Sequence, residues 1–211
     1  MKHVPLNRSS IAIVRACLAA AFWLALCSRV SAFAADPAVS PGIETLLESR
    51  LDWIGGQRLG LITNRTGVDR RQRSSIDLLA EHPQANLVAL FCPEHGIRSE
   101  ESAGKAIEDG IDEKTGLPVY SLYGATRRPT AEMLDRIDVL LYDIQDIGVR
   151  GYTYVSTLGY AMEAALAAGK RFIVLDRPDP LGGRMLDGPV TAPELISFLF
   201  AYETPWVYGM T

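Results

Sequence analysis

Short apolar runs that stop abruptly in polar residues recur along this chain, and their rhythm limits the folds open to it. Residues 58–64, 86–92, 117–123, 137–144 and 171–175 are each too short for a typical helix and rich in apolar side chains. Runs of this kind mark strands covered on both faces. Segments with helical character lie between them. One covers 42–53, with Ile43, Leu46, Leu47 and Leu51 on one stripe, and another covers 75–81 behind Ser74 or Ser75 as N-cap. A third opens at Pro129 and Thr130, and a fourth runs over 156–168 and is closed by Gly169. A last helix is expected over 193–202. Alternation of this sort predicts an α/β fold around a mostly parallel sheet. Residues 97–116 show no period and many charges, so they read as a long loop on the active face with room for a short hairpin.

The second run is the most telling. The segment 87–92 is apolar, and Pro93, Glu94, His95 and Gly96 follow at once. Proline cannot donate to a central ladder, so the strand must end at Pro93. A carboxylate and an imidazole then stand at the edge where open α/β sheets bind ligands.

The first 34 residues carry a basic n-region (Lys2, Arg8, Arg15), an apolar core over 16–26, and small residues at Ala32 and Ala34. This is a secretory signal pattern, with cleavage expected after Ala34 and an apolar core too short for stable membrane insertion. Cys27 follows Leu26, which is larger than a lipidation site wants. Residues 35–41 are expected to form a short mobile lead-in to one domain over 42–211. Removing 1–34 takes away four basic residues and no acid, moving the net charge from −4 to −8. An acidic protein of this kind is a poor nucleic-acid binder. Only Cys92 remains, at the end of an apolar run, where a buried inert thiol is expected and no internal disulfide is possible.

Polar residues follow each strand: Asn64; Glu94 and His95; Tyr123; Asp143, Gln145 and Asp146; Asp176 and Arg177. In a parallel sheet these ends share one rim, which predicts a common site. No G-x-G-x-x-G, Walker loop or G-x-S-x-G elbow is present. With only His82 and His95 left after cleavage, a histidine-rich zinc site is excluded, and no spacing demands another metal, so no cofactor is expected. What remains is a rim of carboxylates with aromatics, Tyr123, Tyr152, Tyr154 and Tyr160. Paired carboxylates suit glycoside hydrolysis, one as proton donor and the other as base, nucleophile or charge stabiliser. A general acid needs a raised pKa, and Glu94, packed after Phe91 and Pro93, fits that part best.

Several motifs carry a resemblance to a known family. They are residues 61–67 (Leu-Ile-Thr-Asn-Arg-Thr-Gly), 93–98 (Pro-Glu-His-Gly-Ile-Arg), and 116–124 (Gly-Leu-Pro-Val-Tyr-Ser-Leu-Tyr-Gly). Residues 143–148, the Tyr-Thr-Tyr of 152–154 with 157–164, and 175–183 complete the set. In this order they resemble the bacterial exo-β-N-acetylmuramidases of the NamZ type, long known as a domain of unknown function. The resemblance implies a Rossmann-like catalytic domain with helices on both faces of its sheet, followed by a smaller C-terminal domain that this sequence does not reach. It implies release of N-acetylmuramic acid from the non-reducing end of peptidoglycan-derived glycans or muropeptides by an exported, periplasmic or secreted protein. It also implies Glu94 as catalytic glutamate. Glu163 matches a second candidate by motif only; Asp143 and Asp146 compete for the same role. Asp179 and Arg65 stand where the family commonly has asparagine and glutamine, departures expected to leave the chemistry in place and to bear on substrate contacts.

Muramic acid carries a lactyl carboxylate, which an arginine grips through two parallel bonds. Arg98, Arg150 and Arg177 sit in suitable loops. With Asn64, His95, Gln145, Tyr152, Tyr154 and Asp176, they form the expected substrate-binding set. The competing reading is a non-catalytic module that binds cell-wall sugars.

Overall fold

The computed structural model describes residues 39–98 and 102–209. The expected signal segment and most of the lead-in lie outside these residues. Six strands form one sheet in the order β3-β4-β2-β1-β5-β6. They are β1 (Arg58–Thr63), β2 (Asn86–Cys92), β3 (Gly110–Ile111), β4 (Pro118–Ser121), β5 (Val139–Asp143) and β6 (Arg171–Val174). All neighbours pair in parallel except β3, which runs antiparallel to β4 at one edge. The short hairpin expected in the long charged segment is this edge strand.

The helices are α1 (Gly42–Ser49), α2 (Ser75–Glu81), α3 (Ala131–Leu134) and α4 (Tyr154–Ala167). Side chains alternate across the strands and sort into two cores. Leu59 and Leu61 of β1, with Val139 and Leu141 of β5, pack against Ile43 and Leu46 of α1 and Ile76 and Leu79 of α2. Ile62, Leu140 and Tyr142 face the other way, onto Leu134 of α3 and Tyr154, Ala161 and Ala165 of α4. Helices therefore cover both faces. The ends of the helices use local chemistry. Ser74 accepts the Ile76 N–H at 3.2 Å to start α2, and Thr130 accepts the Met133 N–H at 3.4 Å to start α3. α4 closes on Gly169 at φ 65, with Gly169 N donating to Leu166 O and Lys170 N to Ala165 O.

Two expected helices are shorter than their patterns. The first ends at Ser49 and passes into a 3-10 turn, Leu51–Trp53. The one expected over 193–202 reduces to a 3-10 turn, Pro193–Leu195. Leu195, Ile196 and Leu199 are all largely exposed, so no stripe is buried to hold a helix there. This C-terminal stretch is instead pinned by Arg150, whose Nη1 donates to Pro189 O and Thr204 O at 2.6 Å each.

Connections leave β1 toward β2 on one side and reach β5 on the other, so strand order reverses around β1. Crevices for ligands open at the carboxyl edge of such a reversal. No helix among the described residues is long and apolar enough to cross a membrane.

Candidate active site

Three loops meet at that edge. The turn after β1 supplies Asn64, Arg65 and Thr66; the turn after β2 supplies His95 and Gly96; the approach to α4 supplies Tyr152 and Tyr154. Together they line a cleft of about 150 Å³. The two tyrosine rings meet edge-on, centroids 4.6 Å apart. His95 adopts φ 73, a left-handed conformation uncommon outside glycine. Holding a histidine there costs on the order of 1–3 kcal/mol, a strain that clusters at functional sites.

Glu94 stands beside this cleft and is only 8% exposed. Its Oε1 accepts the Gly104 N–H at 2.9 Å and its Oε2 accepts the Thr153 hydroxyl at 2.7 Å. The Tyr123 hydroxyl also favours its ionised form. Its backbone carbonyl accepts from Tyr154 Oη at 3.2 Å. Burial pushes the carboxyl group up, but the donors from Gly104, Thr153 and Tyr123, with the charge of His95, outweigh it and hold the pKa below the ordinary glutamate value. This corrects the expectation of a raised pKa. Packing after Phe91 and Pro93 does bury the group, yet the donors aimed at it stabilise the ionised form. Tyr154, by contrast, is pushed up to about 12 by burial, with Asn64 pulling the other way.

The remaining carboxylates do other things. Asp143 is fully buried and paired with Arg177, whose Nε and Nη2 reach its oxygens at 2.6 and 3.1 Å, and it also accepts from the Ser75 hydroxyl. Asp146 accepts from Gly148 N at 2.8 Å and from the Tyr208 hydroxyl. With Asp176 and Tyr208 it lines a separate cavity of about 100 Å³. Glu163 is exposed on α4 and bridges to Arg128 at 2.5 Å, away from the lining of the cleft.

The expected arginines are likewise engaged elsewhere. Arg98 binds Asp112 at 2.6 Å and Asp77 at 2.8 Å. Arg150 serves the C-terminal stretch and lies over the rings of Phe200 and Trp206. Arg177 belongs to Asp143. Gln145 donates from Nε2 to Asp146 O and Pro178 O, and its N–H donates to Thr66 Oγ1 at 2.9 Å, tying the β5 loop to the β1 turn. Asp176 is exposed and accepts the Arg177 N–H.

Of the residues singled out from sequence, the structure gathers Asn64, His95, Tyr152 and Tyr154 around one cleft beside Glu94. It sets Asp143, Gln145 and Arg177 behind it as bracing, and it leaves Glu163, Arg98 and Arg150 outside. Gly104 and Thr153 join the site without having been selected for it, and Arg65, noted from sequence as a departure that bears on substrate contacts, lines the cleft. A threonine before a helix reads as a cap, and a loop glycine carries no signal that its N–H meets a carboxylate. Among the described residues, no group of three His, Cys, Asp or Glu could hold a metal ion. Cys92 is buried, its thiol directed at Pro93 O.

The chain was compared with known proteins. It is 52% identical over 178 residues to the peptidoglycan β-N-acetylmuramidase NamZ of Bacillus subtilis (strain 168), covering 84% of this chain and 43% of that protein. A crystal structure of a DUF1343 family protein from Bacteroides fragilis NCTC 9343 superposes with a TM-score of 0.74 at 54% identity, covering 81% of this chain and 42% of that one. A second DUF1343 protein from the same organism gives 0.67 at 32% identity, with 81% and 43% covered. The chain thus spans less than half the length of these relatives. Residues 59–211 match the family described as exo-β-N-acetylmuramidase NamZ, N-terminal, and the chain belongs to that family.

Proposed function

We propose that this chain carries the catalytic cleft of a peptidoglycan glycosidase that releases N-acetylmuramic acid from the non-reducing end of peptidoglycan-derived glycans. The observation that carries the reading is Glu94: a buried carboxylate at the carboxyl edge of a parallel sheet, held by donors from Gly104 and Thr153 beside an aromatic cleft of sugar-binding character. The name of the Bacillus subtilis relative supports the same substrate class. Glu94 is the group that hands a proton to the leaving oxygen. In the unliganded cleft it is ionised, so it must gain a proton as the glycan binds. A sugar that seals the cleft and draws the Thr153 or Tyr123 hydroxyl to itself removes what holds the pKa down. Export follows from the signal pattern of residues 1–34.

The test is turnover of a chromogenic N-acetyl-β-muraminide by the full-length protein. Glu94→Gln keeps the shape, and its amide oxygen still accepts from Gly104. The variant is expected to lose turnover by about 10³-fold or more with its melting temperature held. Full turnover in Glu94→Gln would remove Glu94 from the chemistry.

One observation favours a second reading, a sugar-binding module. No aspartate or glutamate lines the cleft among the described residues, and Glu94 is poised as an acceptor for a sugar hydroxyl. Calorimetric binding of muramic acid glycans without any turnover by the wild type would select that reading.

A further inference from the structure

The turn that carries Glu94 is built against the preference of its own residues. Gly96 N donates to Pro93 O at 3.4 Å, so residues 93–96 close a β-turn with Glu94 and His95 at its centre. His95 takes φ 73, and Glu94 does not take a positive φ. A negative φ followed by a positive one marks a type II turn. The third position of that turn normally takes glycine or asparagine, because a Cβ there crowds the backbone. With histidine in that place, the related type I turn is the less strained form. The two differ by a flip of the central peptide, here the one joining Glu94 to His95. Something must hold that peptide in the costlier orientation.

The hydroxyl of Tyr154 is in place to do so. It donates to the Glu94 carbonyl oxygen at 3.2 Å, and that carbonyl belongs to the central peptide. A flip would turn the carbonyl away from the phenol and break the bond. Tyr154 itself has little room to follow. It opens α4, is 3% exposed, and belongs to the core on that face of the sheet. The Tyr142 hydroxyl of β5 donates to its backbone carbonyl at 2.9 Å, and its ring meets that of Tyr152 edge-on. Burial pushes its phenol up to about 12, with Asn64 pulling the other way, so the donor keeps its proton through the neutral range. A rigid donor at a helix start is thus set against a turn with two available forms.

Resting on the glycosidase reading above, we propose that Tyr154 is a positioning residue that acts through the backbone: its hydroxyl holds the Glu94–His95 peptide in the type II orientation and so aims His95 into the cleft. The direction of the next side chain follows from the peptide plane. When the peptide flips, φ of His95 must change sign, and its ring leaves along a different course. The Cα–Cβ bond of Glu94 lies before the flipped peptide and keeps its course. His95 lines the cleft together with the Tyr154 ring, so what moves is the cleft wall beside Glu94. A tyrosine that only stacked on a sugar would need no hydroxyl; the turn gives the hydroxyl its task.

The experiment compares the full-length wild type, Tyr154→Phe, His95→Gly and the double variant. Phenylalanine keeps the ring that lines the cleft and removes only the donor. On an aryl N-acetyl-β-muraminide, kcat/KM of Tyr154→Phe is expected to fall about three- to tenfold, the range one neutral hydrogen bond allows. His95→Gly removes both the strain and the ring being aimed. Adding Tyr154→Phe to it should change kcat/KM by less than about twofold. A crystal structure of Tyr154→Phe is expected to show the Glu94 carbonyl turned over and His95 at negative φ. In the double variant the type II turn should persist, since glycine accepts a positive φ freely. A Tyr154→Phe structure that keeps His95 at positive φ overturns the proposal, whatever its activity. So do equal losses from Tyr154→Phe in both backgrounds, which mark a purely structural role, and full kcat/KM in a variant whose turn has flipped. A wild type that turns over nothing ends the glycosidase reading alone. The same four proteins are then compared by calorimetry with N-acetylmuramic acid, and the Tyr154 proposal stands or falls on the affinity ratios and on the turn.

Discussion

The Thr153 hydroxyl, one residue before α4 begins, donates a 2.7 Å hydrogen bond to Glu94 Oε2 at the end of β2. A side chain that would ordinarily cap its own helix is turned onto the carboxylate instead, and Thr153 makes no capping bond to α4. Removing one donor to a charged group favours its neutral form. Thr153→Val, which keeps the shape, should therefore raise the Glu94 pKa. In the kcat/KM profile the limb assigned to Glu94 should move to higher pH, since that profile reports the free enzyme. An unmoved limb would separate Thr153 from the poise of Glu94.

The role of proton donor makes a second demand on the same profiles. Glu94 lies below the ordinary glutamate value before substrate arrives. If binding draws its donors away, the pKa is higher in the complex. The alkaline limb of kcat should then fall at higher pH than the alkaline limb of kcat/KM. Coincident limbs would mean that the bound glycan leaves the carboxylate as it found it, and would point to Glu94 acting as base.

Asp143 and Arg177 supply the third prediction. Both side chains are almost fully buried, 0% and 7% exposed, and the pair joins β5 to the loop after β6. Arg177 also donates to Val68 O at 2.8 Å, and Ser75 of α2 donates to Asp143. Cutting one partner from such a pair strands the other charge out of water. Asp143→Asn or Arg177→Met should each cost about 3–5 kcal/mol in denaturant unfolding, and the double variant less than their sum. Additive losses would show that the two side chains act independently.

This pair also shows what sequence can and cannot carry. Asp143 and Arg177 each announce themselves as polar residues after an apolar run, and both are correctly placed at the carboxyl edge. Their mutual neutralisation depends on β5 and β6 being neighbours, which is a matter of strand order and not of local pattern. Glu94 is legible because Pro93 forces the strand to stop. The donors from Gly104 and Thr153 are not, because they come from a loop and a helix start that share no spacing with it. Glu163 matches a motif, but its place on the solvent side of α4 follows from which face of that helix packs on the sheet. The helix misjudged over 193–202 has the right residues and a proline at its start; it lacks a surface to bury them against.

Acid should loosen the fold by a predictable route. The hydrogen bond from Arg58 holds Asp138 down at about 2, and that from Arg98 holds Asp112 below its ordinary value. At Asp77 and Asp69 burial pushes up, but bonds from Arg98 and Lys114, and from Arg73 and Arg71, win. Each group binds fewer protons folded than unfolded. The stability they contribute is complete above the unfolded value of about 3.9 and is lost as pH falls toward 2. Denaturant midpoints should be flat from pH 7 to about 5 and decline below about 4. Arg58→Gln should flatten the lowest part of that decline, and an unchanged decline would remove Asp138 from the account.

Gly159 offers a test whose sign reverses with context. It sits inside α4, where alanine would ordinarily favour the helix by about 0.5–1 kcal/mol. A Cβ there, however, would fall 1.7 Å from the Tyr202 hydroxyl oxygen and 2.4 Å from its Cζ. The whole Tyr202 ring must leave, and with it the packing of the C-terminal stretch on this helix. Gly159→Ala should thus destabilise the wild type. In a Tyr202→Ala background the obstruction is gone, and the same substitution should stabilise by about 0.5–1 kcal/mol. Stabilisation in both backgrounds would show that Tyr202 gives way at no cost, and that glycine at 159 is not required by this contact.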